Sequence, residues 1–591
     1  MTALDDDVAA RAAAWIDDDP DPAAAAELTA VLAAARAGDP DAVVDLADRF
    51  SGPLEFGTAG LRGPLGAGEH RMNRAVVIRA AAGLSAFLAA ELPGERPRVV
   101  IGFDARHGSA QFARDTAAVV TAAGGEAILL ARAWPTPVLA FAVRQLDADA
   151  GVMVTASHNP PADNGYKVYL GGRVVTDAGQ GAQIVPPYDA AIASRIAAVD
   201  AVASVPRATE GWTTLGEAVL EDYLVRAAGL AAPGSADLRI VLTPLHGVGG
   251  AAAAEALRRA GFDDVHVVAA QAAPDPDFPT VAFPNPEEPG ALDLAFALAR
   301  DVSADLVLAV DPDADRCGVA VPDAAAAERW RRLSGDDVGA LLGAQAAALA
   351  VAGGAGAEPE PPVLASSIVS SRLLARIAAA HGLRHRSTLT GFKWISRVPG
   401  LAYGYEEALG YCVDPAAVRD KDGISAAVRV ASLAAALRAE NRSLDDALDD
   451  LAREHGLHVT APLTVRVDDL ALIPAAMRRL REHPPTSLAG SPVVRSVDLT
   501  LGLRVATPEG HYDVPPTEGL LYETQDGDRV IVRPSGTEPK LKAYLEVVQE
   551  VGPGDLAPAR ADAAARLADI TADLRRAIGL DGTAAGTPTS R

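Results

Sequence analysis

The chain has 591 residues, too many for one hydrophobic core, which sets an expectation of three or four domains. Hydrophobic residues at 49% and charged residues at 22% describe a soluble globular protein. Lys and Arg total 53 against 78 Asp and Glu, a net charge of −25, which argues against nucleic acid or anionic membrane as partners. An anionic substrate would therefore need a local cationic pocket.

Residues 1–50 are Ala-rich with acidic punctuation and predict two or three surface helices, broken at Asp19-Pro20 and Asp39-Pro40. Asp5-Asp6-Asp7 stand where a signal peptide needs basic residues, so a cytoplasmic protein is expected. Phe56 to Gly63 form a Gly-rich loop carrying Arg62, a weak phosphate-binding signal by itself. Arg98–Phe103, Ala127–Leu130 and Ala150–Val154 read as strands, with helices between them, the first from about Ser109. That alternation implies a parallel sheet with crossovers. After the third strand comes Thr155-Ala156-Ser157-His158-Asn159-Pro160, then Asn164-Gly165-Tyr166-Lys167-Val168-Tyr169.

Leu238–Thr243 opens a second unit, followed by Pro244-Leu245-His246-Gly247. Asp305–Val310 delivers Asp311-Pro312-Asp313-Ala314-Asp315-Arg316. Val338–Ala357, behind a cap at Asp336-Asp337, predicts a packed helix rather than a membrane span. After a Gly/Pro/Glu linker at 353–362, a third unit has a strand at 362–368 and a helix at 371–380. It also contains Thr390-Gly391-Phe392-Lys393-Trp394, Gly404 to Tyr411, Asp420-Lys421-Asp422-Gly423 and a closing helix at 424–440. From His458 the pattern turns to short strands, including 463–467, 529–532 and 543–548. Terminal helices follow, and the tail from Asp581 is expected to be disordered. The expected organisation is α/β: a helical extension (1–50), three tandem α/β domains with mixed sheets (51–230, 231–336, 337–456) and a smaller α+β domain (457–591).

A serine hydroxyl becomes useful when a metal, a base or an attached phosphate alters it. Ser157 lacks the G-x-S-x-G order of a hydrolase elbow, and an adjacent His158 rarely aims at its neighbour's Oγ. Asp311, Asp313 and Asp315 form a hard, oxygen-rich site suited to Mg²⁺ or Ca²⁺. An EF-hand is rejected, because Arg316 and Pro322 stand where it needs Gly and Glu. Arg533, Ser535, Gly536, Thr537, Lys540 and Lys542 combine cations, hydroxyls and flexible backbone, the chemistry of a phosphate cradle. Glu406 and Glu407 are candidate acceptors for sugar hydroxyls. The two cysteines, Cys317 and Cys412, exclude a disulfide framework and a Cys-based zinc site.

Only five lysines occur: Lys167, Lys393, Lys421, Lys540 and Lys542. In an Arg-rich chain, lysine is expected where a compact, deprotonatable ammonium is needed, and each is expected in a functional loop. Lys167, His246 and Lys421 are the candidates to move protons.

These four motifs, in this order, resemble those of the α-D-phosphohexomutase superfamily, the phosphoglucomutase/phosphomannomutase enzymes, over nearly the whole chain. The resemblance implies four domains around a central cleft and Mg²⁺ held by Asp311, Asp313, Asp315 and the phosphoserine. It makes Ser157 the phosphorylated residue, with a sugar bisphosphate as intermediate and activator. It places Arg62 and Lys167 beside the phosphoserine, with Lys167 as general acid/base. Thr390, Gly391, Lys393 and Glu406 fall on the sugar side, and Arg533, Ser535, Gly536, Thr537 and Lys540 on the phosphate side. Ala408 stands where Gly-Glu-x-Ser members carry serine. Glu406-Glu407-Ala408-Leu409-Gly410-Tyr411 and the N-terminal extension look more like the phosphopentomutase and bacterial phosphoglucomutase branch. The expected substrate is a phosphorylated hexose or pentose, glucose 1-phosphate first and mannose or pentose phosphates as alternatives; no obligate protein partner is implied. A Mg²⁺-dependent phosphatase with Asp311 as nucleophile, and a non-catalytic sugar-phosphate binder, are the rival readings.

Overall fold

The computed structural model describes residues 4–57, 60–232, 237–354, 361–467, 469, 471–507, 510–535 and 540–579. The tail from Asp581, most of the Gly/Pro/Glu linker, Thr58 and Ala59 of the Gly-rich loop, and Gly536 and Thr537 of the phosphate cradle lie outside those residues. The chain divides into two compact units. One comprises residues 1–332 and 410–435, the other 333–409 and 436–591.

The first unit opens with three helices, Asp6–Asp18, Pro22–Arg36 and Pro40–Arg49. Asp5, Asp21 and Asp39 cap them by accepting backbone N–H bonds, and prolines start the second and third. The break after Asp19 holds, but the second helix starts at Asp21-Pro22, where the carboxylate can cap it. Ala12, Leu28, Leu32, Leu46 and Phe50 form a small core of their own.

The following sheet contains Leu61–Pro64 (β1), Arg98–Phe103 (β2), Glu126–Leu130 (β3), Ala150–Val154 (β4), Asp163–Leu170 (β5), Ala182–Gln183 (β6) and Thr213–Leu215 (β7). Its order is β1-β5-β4-β2-β3-β7, with β6 on β5. Strands β4, β2, β3 and β7 run parallel, as the strand–helix alternation predicts. Strands β1, β5 and β6 are antiparallel additions. Val99, Ile101, Val152 and Val154 bury their side chains with Leu84, Phe87 and Phe112 from the covering helices. A second sheet joins Ile240–Thr243 (β8), Val265–Val267 (β9), Leu306–Val310 (β10), Cys317–Pro322 (β11) and Trp330–Arg332 (β12) in the order β12-β11-β10-β8-β9. Here β9, β8 and β10 are parallel, and the β10–β11 turn carries the aspartates.

In the second unit, Val363–Ser367 has parallel neighbours Arg384–Thr388 and Leu401–Glu406. Helix Gly335–Ala352 starts at Ser334, which forms a capping box with Asp337. The cap expected at Asp336-Asp337 thus moves to Ser334, since only a residue outside the helix can offer its side chain to the third N–H. The C-terminal part is an antiparallel sheet of Leu457–Arg466, Lys540–Gln549, Arg529–Pro534, Leu520–Thr524, Ser491–Asp498 and Ser487–Leu488. Helices Leu472–Glu482 and Ala557–Ile578 pack on it through Met477, Leu480, Ile570 and Leu574. Three α/β domains and a C-terminal α+β domain are therefore present. No helix among the described residues is long and apolar enough to cross a membrane.

Candidate active site

Ser157 sits just past the C-terminal end of β4, with φ at +53°. That left-handed conformation costs a non-glycine residue on the order of 1–2 kcal/mol, and here it turns the hydroxyl inward. The hydroxyl donates to Asp311 Oδ2 at 2.8 Å and lies 3.1 Å from His158 Nδ1. Ser157 N–H donates to Thr155 Oγ1, which closes the turn. The contact with His158 runs against the sequence-based expectation for adjacent residues. The positive φ swings the serine side chain back toward its neighbour.

The aspartate loop meets this serine from the end of β10. Asp311, Asp313 and Asp315 are fully buried, and each offers an oxygen within 4.8 Å of the others. Lys167 Nζ, on β5, donates to Asp313 Oδ2 at 2.7 Å and Asp315 Oδ2 at 2.8 Å. Lys421 Nζ lies 3.0 Å from Asp315 Oδ2. Thr136 Oγ1 donates to Asp313 Oδ2 at 2.7 Å, and the Arg316 N–H donates to Asp311 Oδ1 at 3.0 Å. Burial and the neighbouring Asp313 and Asp315 push the Asp311 carboxyl well above the usual carboxylate range. Burial would raise Asp315 too, but Lys167 and Lys421 outweigh it and hold this carboxyl far below its ordinary value. Asp313 Oδ1 and Asp315 Oδ1 are buried and accept no hydrogen bond among the described residues. Buried carboxylate oxygens without donors are costly unless a cation faces them, so the residues present fit a divalent metal bound through oxygen.

Gly423 is what lets Lys421 arrive. A Cβ there would lie 2.2 Å from Arg316 O, so only glycine allows the 420–423 loop to lie against the aspartate loop. Arg62, on β1, donates to Asn159 Oδ1 at 3.3 Å, at the far end of the serine loop. His246 Nε2 lies 2.8 Å from Thr280 Oγ1, in a loop whose Val248 N–H donates to Pro312 O of the aspartate loop at 2.8 Å. The lysines do not all occupy loops. Lys167 is on β5, Lys393 on the short helix Phe392–Ile395, and Lys540 and Lys542 on the last strand, which leaves Lys421 alone in a loop. Lys167 can be buried on a strand because two carboxylates neutralise it.

Arg106 escaped notice in the sequence. Its guanidinium donates to the carbonyls of Ser157 (2.6 Å), Asn159 (2.5 Å), Pro160 (2.7 Å) and Asp163 (3.0 Å), and it lies over the Phe278 ring at 4.9 Å. The four acceptors are 51 to 57 residues away in sequence, so only the Asp104-Ala105-Arg106 strand end could have hinted at them. Arg106→Ala is expected to cost roughly 3 kcal/mol, because buried carbonyls lose their donor. It should also lower kcat about a hundred-fold under conditions where the protein is still folded, by releasing the serine loop. Arg106→Lys should recover stability more fully than kcat, a split that separates positioning from mere stability.

The second unit carries the other candidates. Arg533 donates to Thr390 Oγ1, and the Ser535 N–H donates to Lys540 O at 2.8 Å. Gly391, with φ at +104°, starts the short helix that bears Lys393. Glu406 ends the strand Leu401–Glu406. Glu407 accepts from Ser370 Oγ at 2.7 Å, and burial beside Glu406 and Asp336 raises its pKa to about 7. A folded-state pKa above the ordinary 4.5 means the folded protein holds this proton more tightly. Stability from Glu407 is complete below pH 4.5 and is lost as pH rises through 7, by up to about 3 kcal/mol. Glu407→Gln should therefore stabilise the protein at pH 8 and change little at pH 5, as read by denaturant unfolding at both values.

The comparisons with known proteins decide the family. Sequence profiles of the phosphoglucomutase/phosphomannomutase α/β/α domains I, II and III match residues 53–202, 221–324 and 334–455, and the C-terminal domain profile matches 463–563. The chain belongs to the phosphoglucomutase/phosphomannomutase family. A Haemophilus influenzae protein named "Probable phosphomannomutase" is 45% identical over 80% of this chain and 93% of its own length. Mouse phosphopentomutase is 35% identical over 86% of each chain, and Staphylococcus haemolyticus phosphoglucomutase is 32% identical over 84% of this chain and 91% of its own. A crystal structure of a Burkholderia thailandensis phosphoglucomutase/phosphomannomutase family protein shares the fold, with a TM-score of 0.63 and 19% identity, covering 90% of this chain and 99% of that one. This family member is thus an enzyme of the phosphohexomutase type, and Ser157 with the three aspartates lies within the segments matched by domains I and II.

Proposed function

We propose that this enzyme moves a phosphoryl group reversibly between the 1-position and the 6- (or 5-) position of a sugar monophosphate. A phosphoserine at Ser157 and a sugar bisphosphate are the intermediates, and glucose 1-phosphate and glucose 6-phosphate are the preferred pair. The observation that carries this reading is the Ser157 hydroxyl, turned inward by its left-handed backbone and 2.8 Å from the first of three buried aspartates. Asp311, Asp313 and Asp315 would hold Mg²⁺, which neutralises charge on the transferring phosphoryl group.

The chain's own residues supply the rest. As the phosphoryl group leaves, the bond from phosphorus to Ser157 Oγ breaks and one to a sugar hydroxyl oxygen forms. The sugar hydroxyl gives up a proton and Ser157 Oγ takes one. Lys167, held charged between Asp313 and Asp315, is the donor on the acid side, and His158 Nδ1 is within reach of the serine proton. Arg62 anchors Asn159, and Arg106 fixes the loop backbone. Glu406 and Lys393 are assigned to the sugar, and Arg533, Ser535 and Lys540, with Gly536 and Thr537, to the phosphate that is not transferred.

The substrate test is a panel of hexose and pentose 1-phosphates, assayed with Mg²⁺ and a trace of the matching bisphosphate. Fastest turnover of glucose 1-phosphate supports the reading; ribose or mannose 1-phosphate ahead of it would move the specificity to phosphopentomutase or phosphomannomutase. Release of free phosphate without isomerisation would favour the phosphatase. Asp313→Asn is expected to raise the Mg²⁺ concentration for half-maximal activity at least ten-fold and to leave the fold intact. An unchanged Mg²⁺ titration would remove Asp313 from the metal site.

A further inference from the structure

Within the second unit lies a cavity of ≈1180 Å³, bounded by helix Leu373–Ala380, strand Arg384–Thr388 and the hairpin Leu503–Thr507/Gly510–Val514. Among the described residues, none assigned above to sugar or phosphate lines it. Among the described residues that line it are seven arginines and a single carboxylate, Glu523, in a chain whose net charge is −25.

The pairing of those arginines leaves positive charge over. Arg372 and Arg529 share one carboxylate, Glu546, and also hold the carbonyls of Gly527, Ile368 and Ser370. Arg495 pairs with Glu523 and Arg504 with Asp513, each at 3.1 Å. Arg386 lies over the Tyr512 ring at 4.3 Å. Among the described residues, no carboxylate reaches the guanidinium of Arg376 or Arg386. His385 adds no charge near neutrality, because burial lowers its pKa to about 4. Guanidinium groups crowded round one concavity repel each other unless an anion lies between them, and their planar forks suit phosphate oxygens.

We infer that this cavity binds a small metabolite carrying two or more phosphate groups, as an effector distinct from the sugar phosphate that reacts. The volume admits a molecule of nucleotide size. The acidic remainder of the chain opposes a polymer such as nucleic acid. The positive charge left over comes from two separate elements, Arg376 on the helix Leu373–Ala380 and Arg386 on the strand Arg384–Thr388, so a single phosphate would engage only part of it.

Titration calorimetry with inorganic tripolyphosphate, at low ionic strength and without Mg²⁺, tests this on the full-length protein. The wild type and Lys540→Ala are expected to bind alike, and Arg376→Glu/Arg386→Glu to bind at least ten-fold more weakly. Arg376→Lys/Arg386→Lys, which keeps the charge, should stay within a few-fold of wild type. Hydrogen exchange should slow at residues 384–387 and 503–507 when tripolyphosphate is added. Absence of binding by the wild type, equal binding by the double Glu variant, or loss of binding in Lys540→Ala would overturn the assignment; the last result would send the anion to the candidate phosphate cradle. A melting temperature of the double Glu variant equal to wild type guards against misfolding, since both positions are exposed.

Discussion

Ser157→Ala is expected to lower turnover by at least about 10⁴-fold, the scale on which removal of a covalent nucleophile acts. The fold should change little, because the substitution removes one hydrogen bond to Asp311, worth on the order of 1–2 kcal/mol. Two measurements separate chemistry from stability. Intact-protein mass should show a phosphorylated population in the wild type after incubation with a sugar bisphosphate and none in the variant. Thermal unfolding should shift by a few degrees at most. Persistent isomerisation by the alanine variant, or phosphorylation at another residue, would end the phosphoserine account and revive Asp311 as the nucleophile.

Lys167→Met should be the most destabilising single change at the site. Lys167 is fully buried between Asp313 and Asp315, so its loss leaves two carboxylates facing each other without their main counter-ion. Breaking a buried pair from one side costs about 3–5 kcal/mol, and activity should fall with it. The double variant Lys167→Met/Asp313→Asn should regain part of that loss, because one of the stranded charges is gone. Added Mg²⁺ should also recover part of the stability of Lys167→Met, since a cation that binds only the folded site shifts the equilibrium toward it. Denaturant unfolding of the two variants, with and without Mg²⁺, measures both effects. A loss below about 1 kcal/mol would show that the aspartates are neutralised by something other than Lys167.

The parallel strands β2, β3 and β4 were legible because they are short apolar runs between helices with recognisable starts. Strand β5 was not: it opens with Asp163 and Asn164 and carries Lys167, yet it is buried on both faces. Its burial rests on partners far away in sequence, Asp313 and Asp315 for Lys167 and Asp420 for Tyr169. The strands Ser491–Asp498, Leu503–Thr507 and Gly510–Val514 gave equally little signal, as they are largely exposed and bury few apolar side chains.

The sequence by itself determined the motifs: a serine after a buried strand, three alternating aspartates after another, and a basic Gly-containing loop near the end. Local chemistry suffices there, since crowded carboxylates or a cationic turn carry their meaning in a few residues. Only the tertiary structure decided which groups act on one another. It drew Lys167 and Lys421 onto Asp315, put Arg106 beneath the serine loop, sent His246 to Thr280, and gathered arginines from separate elements around one cavity. Those relations depend on distances between segments up to about a hundred and fifty residues apart, which strand pairing and burial fix and local pattern does not.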